Sequence, residues 1–276
     1  MKRAWFALVL LLGPWTAWAD GITFFPTPRH QQYQTFGLFD EEQSGIIFAS
    51  GGNAARADLG TDVTLLEASS LPFHPQLTVY GSVDTSFLKK SNAIFDFVAE
   101  TFDAEFGFAI ESELTPSMRL SVGLTHISGH AGDGIPDPSL FGPNLGDDEL
   151  PIRLIYDVNT SFRFGFTFKP LLDWDPHNQW FGADQFVEWM PLGQSPSHIR
   201  FNPYIAMGLD EKGNDGVGLT YHVQVGIFAG NHYLPERDPT VRIALGYYSG
   251  WDPRMKYAQF LLAKAQFFYF AVLVNV

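Results

Sequence analysis

Three polar side chains sit at alternate positions in the stretch SMRLSVGLTHISGHAGDG, residues 117–134: His126, Ser128 and His130. In an extended strand, residues two apart point the same way about 7 Å apart at Cα, so an imidazole at His126 can reach a hydroxyl at Ser128. A histidine base beside a serine hydroxyl is the arrangement of nucleophilic acyl transfer, with His126 taking the proton and Ser128 attacking an ester carbonyl. The bland alternative is a rim in which His126, Ser128 and His130 bond only to loop backbone or to lipid headgroups.

The loop that follows is acidic, with Asp133, Asp137, Asp147, Asp148 and Glu149. Such carboxylates, with backbone carbonyls, are the donors calcium takes. The run reads first as a solvated loop, and no metal or cofactor is assigned to it. Asn144, Asp147, Asp148 or Glu149 is available to orient His126, and Asp148 shares parity with Ile152 if the following strand extends backwards. His130, Asp133 and Asp148 are accordingly the candidate binding residues beside the His126 and Ser128 pair. Asp173, Asp175 and His177 read as an ordinary turn around Pro176, and Gly213, Gly216 and Gly218 as a hairpin turn, not a phosphate loop.

The chain has no cysteine, which excludes a thiol nucleophile, a disulfide framework and a lipidated cysteine. A net charge of −13 argues against a nucleic-acid partner. Lys2 and Arg3 precede an apolar run that closes on Ala17-Trp18-Ala19, the pattern of a cleaved secretory signal over residues 1–19. Residues 20–44 carry Pro26, Pro28 and a polar run, and read as an irregular lead-in.

The elements that must position the triplet are strands. Met118, Leu120, Val122 and Leu124 alternate with Arg119, Ser121, Gly123 and Thr125, and His126, Ser128 and His130 continue the apolar parity. The same period recurs along the chain: Leu59 and Val63 against Asp58 and Asp62, Phe102 to Ile110 against Asp103 and Glu105, and four phenylalanines from Phe162 to Phe168 against Arg163 and Lys169. The runs are about 9 to 12 residues long, the length of a tilted strand crossing a bilayer, whereas strands of soluble sandwiches run about 5 to 6. Trp174, Trp180, Trp189, Tyr247, Tyr248 and Trp251 cluster near strand ends, as in an interfacial aromatic girdle.

The pattern predicts an all-β, transmembrane antiparallel β-barrel over residues 45–276, with twelve strands when the weak Gly45–Ser50 strand is counted, and ten as the alternative. Short turns at Glu113–Pro116 and Asn159-Thr160 belong on the periplasmic side and the long loop 129–150 outside. His126, Ser128 and His130 then sit on the lipid-facing parity at the outer end of their strand.

At these residues the chain resembles outer membrane phospholipase A, a twelve-stranded barrel with a lipid-facing His-x-Ser motif; barrel-type lipid A deacylases also use such a pair. The resemblance implies His126 as base and Ser128 as nucleophile, while Leu140 stands where the phospholipase has its asparagine. THISGHAGDG also resembles the His-x-Ser-Ser-His-x-Gly-Asp-Glu signature of a bacterial outer-membrane family to which no activity is assigned. YYSGWDPRMKYAQF, residues 247–260, resembles a second stretch of that family. His126, Ser128, His130, Gly132 and Asp133 match its first signature; Gly129 and Gly134 depart from it. The sequence thus points to an integral outer-membrane barrel in contact with lipid. Its role stays open, with a lipid acyl-ester hydrolase and a small-solute pore as alternatives. The charges opposite the apolar faces suit ion pairs filling a narrow lumen.

Overall fold

Alternation of apolar and polar side chains over a dozen segments leaves each strand with two faces that demand opposite surroundings. A closed barrel satisfies both and leaves no sheet edge. The computed structural model describes residues 21–26, 44–50, 54–90, 96–132, 146–172, 181–193, 201–213, 217–229, 240–251 and 264–275. In chain order the described strands are β1 (Ile22–Phe24), β2 (Ser44–Ala49), β3 (Ala54–Ala68), β4 (Gln76–Lys89), β5 (Phe97–Thr115), β6 (Met118–Ala131), β7 (Gly146–Glu149), β8 (Ile152–Asn159), β9 (Phe162–Pro170), β10 (Phe181–Trp189), β11 (Phe201–Gly213), β12 (Val217–Ala229), β13 (Thr240–Trp251) and β14 (Lys264–Asn275). Pairing runs antiparallel from β4 through β5, β6, β8 and β9 to β14, then to β2 and β3, and β3 pairs back to β4. Twelve strands therefore close the barrel, as expected, and the short β2 is one of them.

Two strands lie off this circuit. β7 pairs with β6 in the same register as β8: Thr125 faces Glu149 and Val122 faces Ile152, with the Gly123 N–H donating to the Pro151 carbonyl at 2.9 Å. β7 and β8 are thus one wall strand interrupted at Leu150 and Pro151, where proline has no N–H to give the ladder. β1 pairs with β3 at Ala68–Leu66, on the edge that β2 covers only from Asp58 to Ala55. Part of the lead-in, expected to be irregular, is therefore a strand. Phe25, which follows it, has φ 51, a left-handed conformation costly for a bulky residue.

The turns lie slightly later than the sequence suggested. β5 runs to Thr115 and turns at Pro116 and Ser117; β8 runs to Asn159 and turns at Thr160 and Ser161, where the Ser161 N–H donates to Asn159 Oδ1 at 2.7 Å. The strand order puts both turns at one end, with the start of β2 and the end of β14, and puts the end of β6, the start of β7 and the facing ends of β11 and β12 at the other. These are the turn end and the loop end below.

Parity is as expected. Leu59 is 70% exposed while its neighbour Asp58 is 1% exposed, and the outward rows of β5, β9, β11 and β13 present Phe106, Phe108, Ile110, Phe164, Phe166, Met207, Ile243 and Leu245. Inside, one sector carries charge. Arg56 Nε lies 2.6 Å from Asp58 Oδ1 and its Nη2 3.0 Å from Asp84; Arg163 Nε lies 2.6 Å from Asp157, which also pairs with Arg119; Lys169 Nζ lies 2.5 Å from Asp184. The opposite sector, on β2 and β11 to β14, holds a cluster of Ile47, Tyr204, Phe228, Tyr248, Tyr269 and Leu273 with neighbouring alanines, beside the buried Arg242.

Several inward rings pack against a glycine of the next strand, Tyr80 on Gly107, Phe186 on Gly165, Tyr204 on Gly226 and Tyr269 on Gly246, where a Cβ would collide with the ring. Among the described residues large inward charged side chains are buried: Arg163, Arg242, Glu111 and Glu188 are all at most 2% exposed. The aromatic girdle expected from the sequence loses one member. Tyr248 belongs to the interior, stacked on Phe267 with ring centroids 5.1 Å apart, and so is no part of an outer girdle. Trp251 folds back over Gly218 of β12, while Trp189 and Tyr247 keep the outward parity and Trp174 and Trp180 lie outside the described residues.

Candidate functional site

β6 brings its polar triplet to the loop end on the outward face. His126 is opposite Phe106 on β5 and Asp148 on β7; Ser128 is opposite Ala104 and Gly146; His130 is opposite Phe102. Met118 opens β6, so His126 lies eight residues up the strand, about 20 Å along the axis for strands rising about 3.3 Å per residue and tilted about 40°. That is the upper part of an apolar band about 25 Å tall. Below His126 the outward row is Leu124, Val122, Leu120 and Met118.

The rung beneath Ser128 is occupied by a histidine and a carboxylate. His126 Nδ1 lies 2.8 Å from Asp148 Oδ1, with 38% and 50% of the two side chains exposed. A carboxylate only accepts, so in the neutral imidazole Nδ1 carries the proton and Nε2 keeps its lone pair. Asp148 is pinned on both sides of β7: its residue faces His126 across the ladder, and its carbonyl accepts from the Leu172 N–H at 2.7 Å. The His126 ring also tilts against Phe106, with centroids 4.9 Å apart and an interplanar angle of 46°.

The other edge of the ring points along the strand toward the next rung. A Cβ on Gly146 would lie 3.2 Å from His126 Cε1 and 3.6 Å from Nε2, and Gly146 is the residue registered opposite Ser128. The Cε1–Nε2 edge therefore leans toward the Ser128 rung while Nδ1 is held by Asp148. A hydroxyl, an imidazole with a free Nε2 side and a carboxylate on Nδ1, set on adjacent rungs of one face, are the parts of a serine hydrolase triad.

Of the four residues left open as orienting groups, Asp148 is the one at His126. Asp147 is buried at 2% exposure on the inner face and Glu149 is registered with the inward Thr125, because successive strand residues point to opposite sides of the sheet. The wall therefore divides Asp148 from Asp147 and Glu149, and these three cannot share one calcium ion. Asn144, Asp133, Asp137, Leu140, Asp173, Asp175 and His177 lie outside the described residues. His130 is exposed one step above Ser128 on the same row. Sequence reading did not single out Phe106 or Gly146; only the cross-strand register places them at the imidazole.

No protein-family profile matches the chain, and no curated protein matches it. Solved porin structures are among those distantly similar to it. The KdgM porin is 8% identical, with 80% of this chain and 99% of that chain covered and a TM-score of 0.42. The NanC porin is 12% identical, with 85% and 98% covered and a TM-score of 0.47.

Proposed function

We propose that this chain is an integral outer-membrane barrel that hydrolyses acyl esters of lipids in the leaflet at its loop end. Ser128 is the nucleophile, His126 the base and Asp148 the carboxylate that orients it. The observation that carries the reading is the 2.8 Å contact between His126 Nδ1 and Asp148 Oδ1 on the outward face, one rung from Ser128. The outward apolar rows and the leader read over residues 1–19 support the outer-membrane location. Residues 20–44 then precede a barrel over residues 45–276.

In this reading His126 Nε2 takes the Ser128 proton as Oγ attacks the ester carbonyl carbon. The tetrahedral intermediate collapses, the imidazolium returns that proton to the departing alcohol oxygen, and an acyl-Ser128 remains. Water, deprotonated by the same Nε2, then attacks the acyl-enzyme, frees the fatty acid and restores the serine. Asp148 holds the ring in the required tautomer and stabilises the imidazolium, and the apolar row from Leu124 to Met118 faces the acyl chains beneath the ester.

The test is fatty-acid release by the refolded chain without residues 1–19, on phospholipid and on lipopolysaccharide, with and without calcium, beside Ser128→Ala. Release that vanishes in the variant is expected; no release on either substrate sinks the hydrolase. A small-solute pore is the second reading. The buried Arg163, Arg242, Glu111 and Glu188 argue for a closed lumen, and single-channel conductance in planar bilayers decides it.

A further inference from the structure

We propose that Gly146 and Phe106 form the slot that holds the His126 imidazole in the orientation a base needs; the inference rests on the hydrolase reading above. Glycine weakens a strand, and often marks a place where another group approaches the backbone closely. At Gly146 the approaching group is the imidazole, whose Cε1 lies 3.2 Å and Nε2 3.6 Å from where a Cβ would stand. Across the ring lies Phe106, with centroids 4.9 Å apart, and at Nδ1 lies Asp148 at 2.8 Å. The ring is therefore bounded by the bare backbone of β7, an aromatic ring on β5 and a carboxylate. Rotation one way meets β7, and rotation the other way meets Phe106.

Neither Gly146 nor Phe106 supplies a reacting group. They act through His126 and are positioning residues. A methyl at position 146 is tighter than the imidazole tolerates without moving its Cε1–Nε2 edge, which carries the lone pair that must face Ser128. Asp148 and Ser128 are unchanged by that substitution, so substrate binding survives and the chemical step suffers.

The experiment compares wild type with Gly146→Ala in detergent micelles, reading kcat and KM for phospholipid hydrolysis and the rate at which a fluorophosphonate modifies Ser128. Heat-modifiable migration reports folding. The expected result is a kcat lower by about tenfold or more with KM within about twofold, a parallel fall in fluorophosphonate labelling and unchanged migration. A folded Gly146→Ala protein whose kcat stays within about twofold of wild type overturns the slot. If that variant does not reach the heat-modifiable form, Phe106→Leu, which empties the other side of the slot, decides by the same criteria. A wild type that neither hydrolyses lipid nor takes the fluorophosphonate at Ser128 overturns the hydrolase reading itself. An active wild type with unaffected variants overturns the slot alone.

Discussion

His126 Nδ1 and Asp148 Oδ1 are 2.8 Å apart although 22 residues separate them in the chain, and both side chains face out of the barrel. The ladder between β6 and β7 makes the contact, since His126 and Asp148 are directly registered and therefore share a face. A charged rim residue with no such partner would have carried no chemistry.

Asp148→Asn is accordingly expected to lower kcat by about two to four orders of magnitude, because an amide no longer enforces the proton on Nδ1 or balances the imidazolium. Half of the Asp148 side chain is exposed, so folding should be unaffected. Fatty-acid release measured beside heat-modifiable migration checks both halves; full activity in Asp148→Asn would remove Asp148 from the site.

Leu245 is 60% exposed near the middle of β13. In a membrane barrel its side chain lies in hydrocarbon, and Leu245→Arg should cost about 2 to 4 kcal/mol of folding free energy in lipid bilayers. On a water-facing surface the same change would be close to neutral. Denaturant titration in vesicles distinguishes the two, and a neutral result would contradict the transmembrane assignment.

Asp157 accepts from Arg163 and pairs with Arg119, and both arginines are buried. Asp157→Asn takes away a charge that two buried guanidinium groups share, and should destabilise the barrel by about 3 kcal/mol. Arg163→Met with Asp157→Asn should recover part of the loss. Unfolding curves of the single and double variants measure it; equal stability of Asp157→Asn and wild type would mean the network is solvated.

The Tyr269 ring lies on Gly246 of the neighbouring strand. Gly246→Val overpacks that contact and should cost about 1 to 3 kcal/mol, reduced when combined with Tyr269→Ala. The temperature of the heat-modifiability transition reads both variants, and an undisturbed Gly246→Val would show that the ring moves freely.

Strand number, parity and the outward placement of His126, Ser128 and His130 were all legible in the sequence. Period two is written residue by residue, and a one-residue error would put Asp58, Asp103 or Arg163 in the apolar band. The lack of cysteine is likewise a plain property of the chain. What could not be read is whatever depends on which residues face each other across strands. Residue counting left Asp147, Asp148, Glu149 and Asn144 as candidates for the histidine, with Asp148 set apart only by sharing parity with Ile152, and grouped Tyr248 with outward aromatics. The pairing of β6 with β7 places Asp148 at His126, whereas Tyr248 is inward by the parity of β13 itself, out of step with Ile243, Leu245 and Tyr247. The strand β1 was missed because three residues carry too little period to be seen, and β3 supplies the partner that makes them a strand. Parity belongs to one strand and is determined by its own sequence; contact belongs to two strands, and their register is decided by closure of the whole barrel.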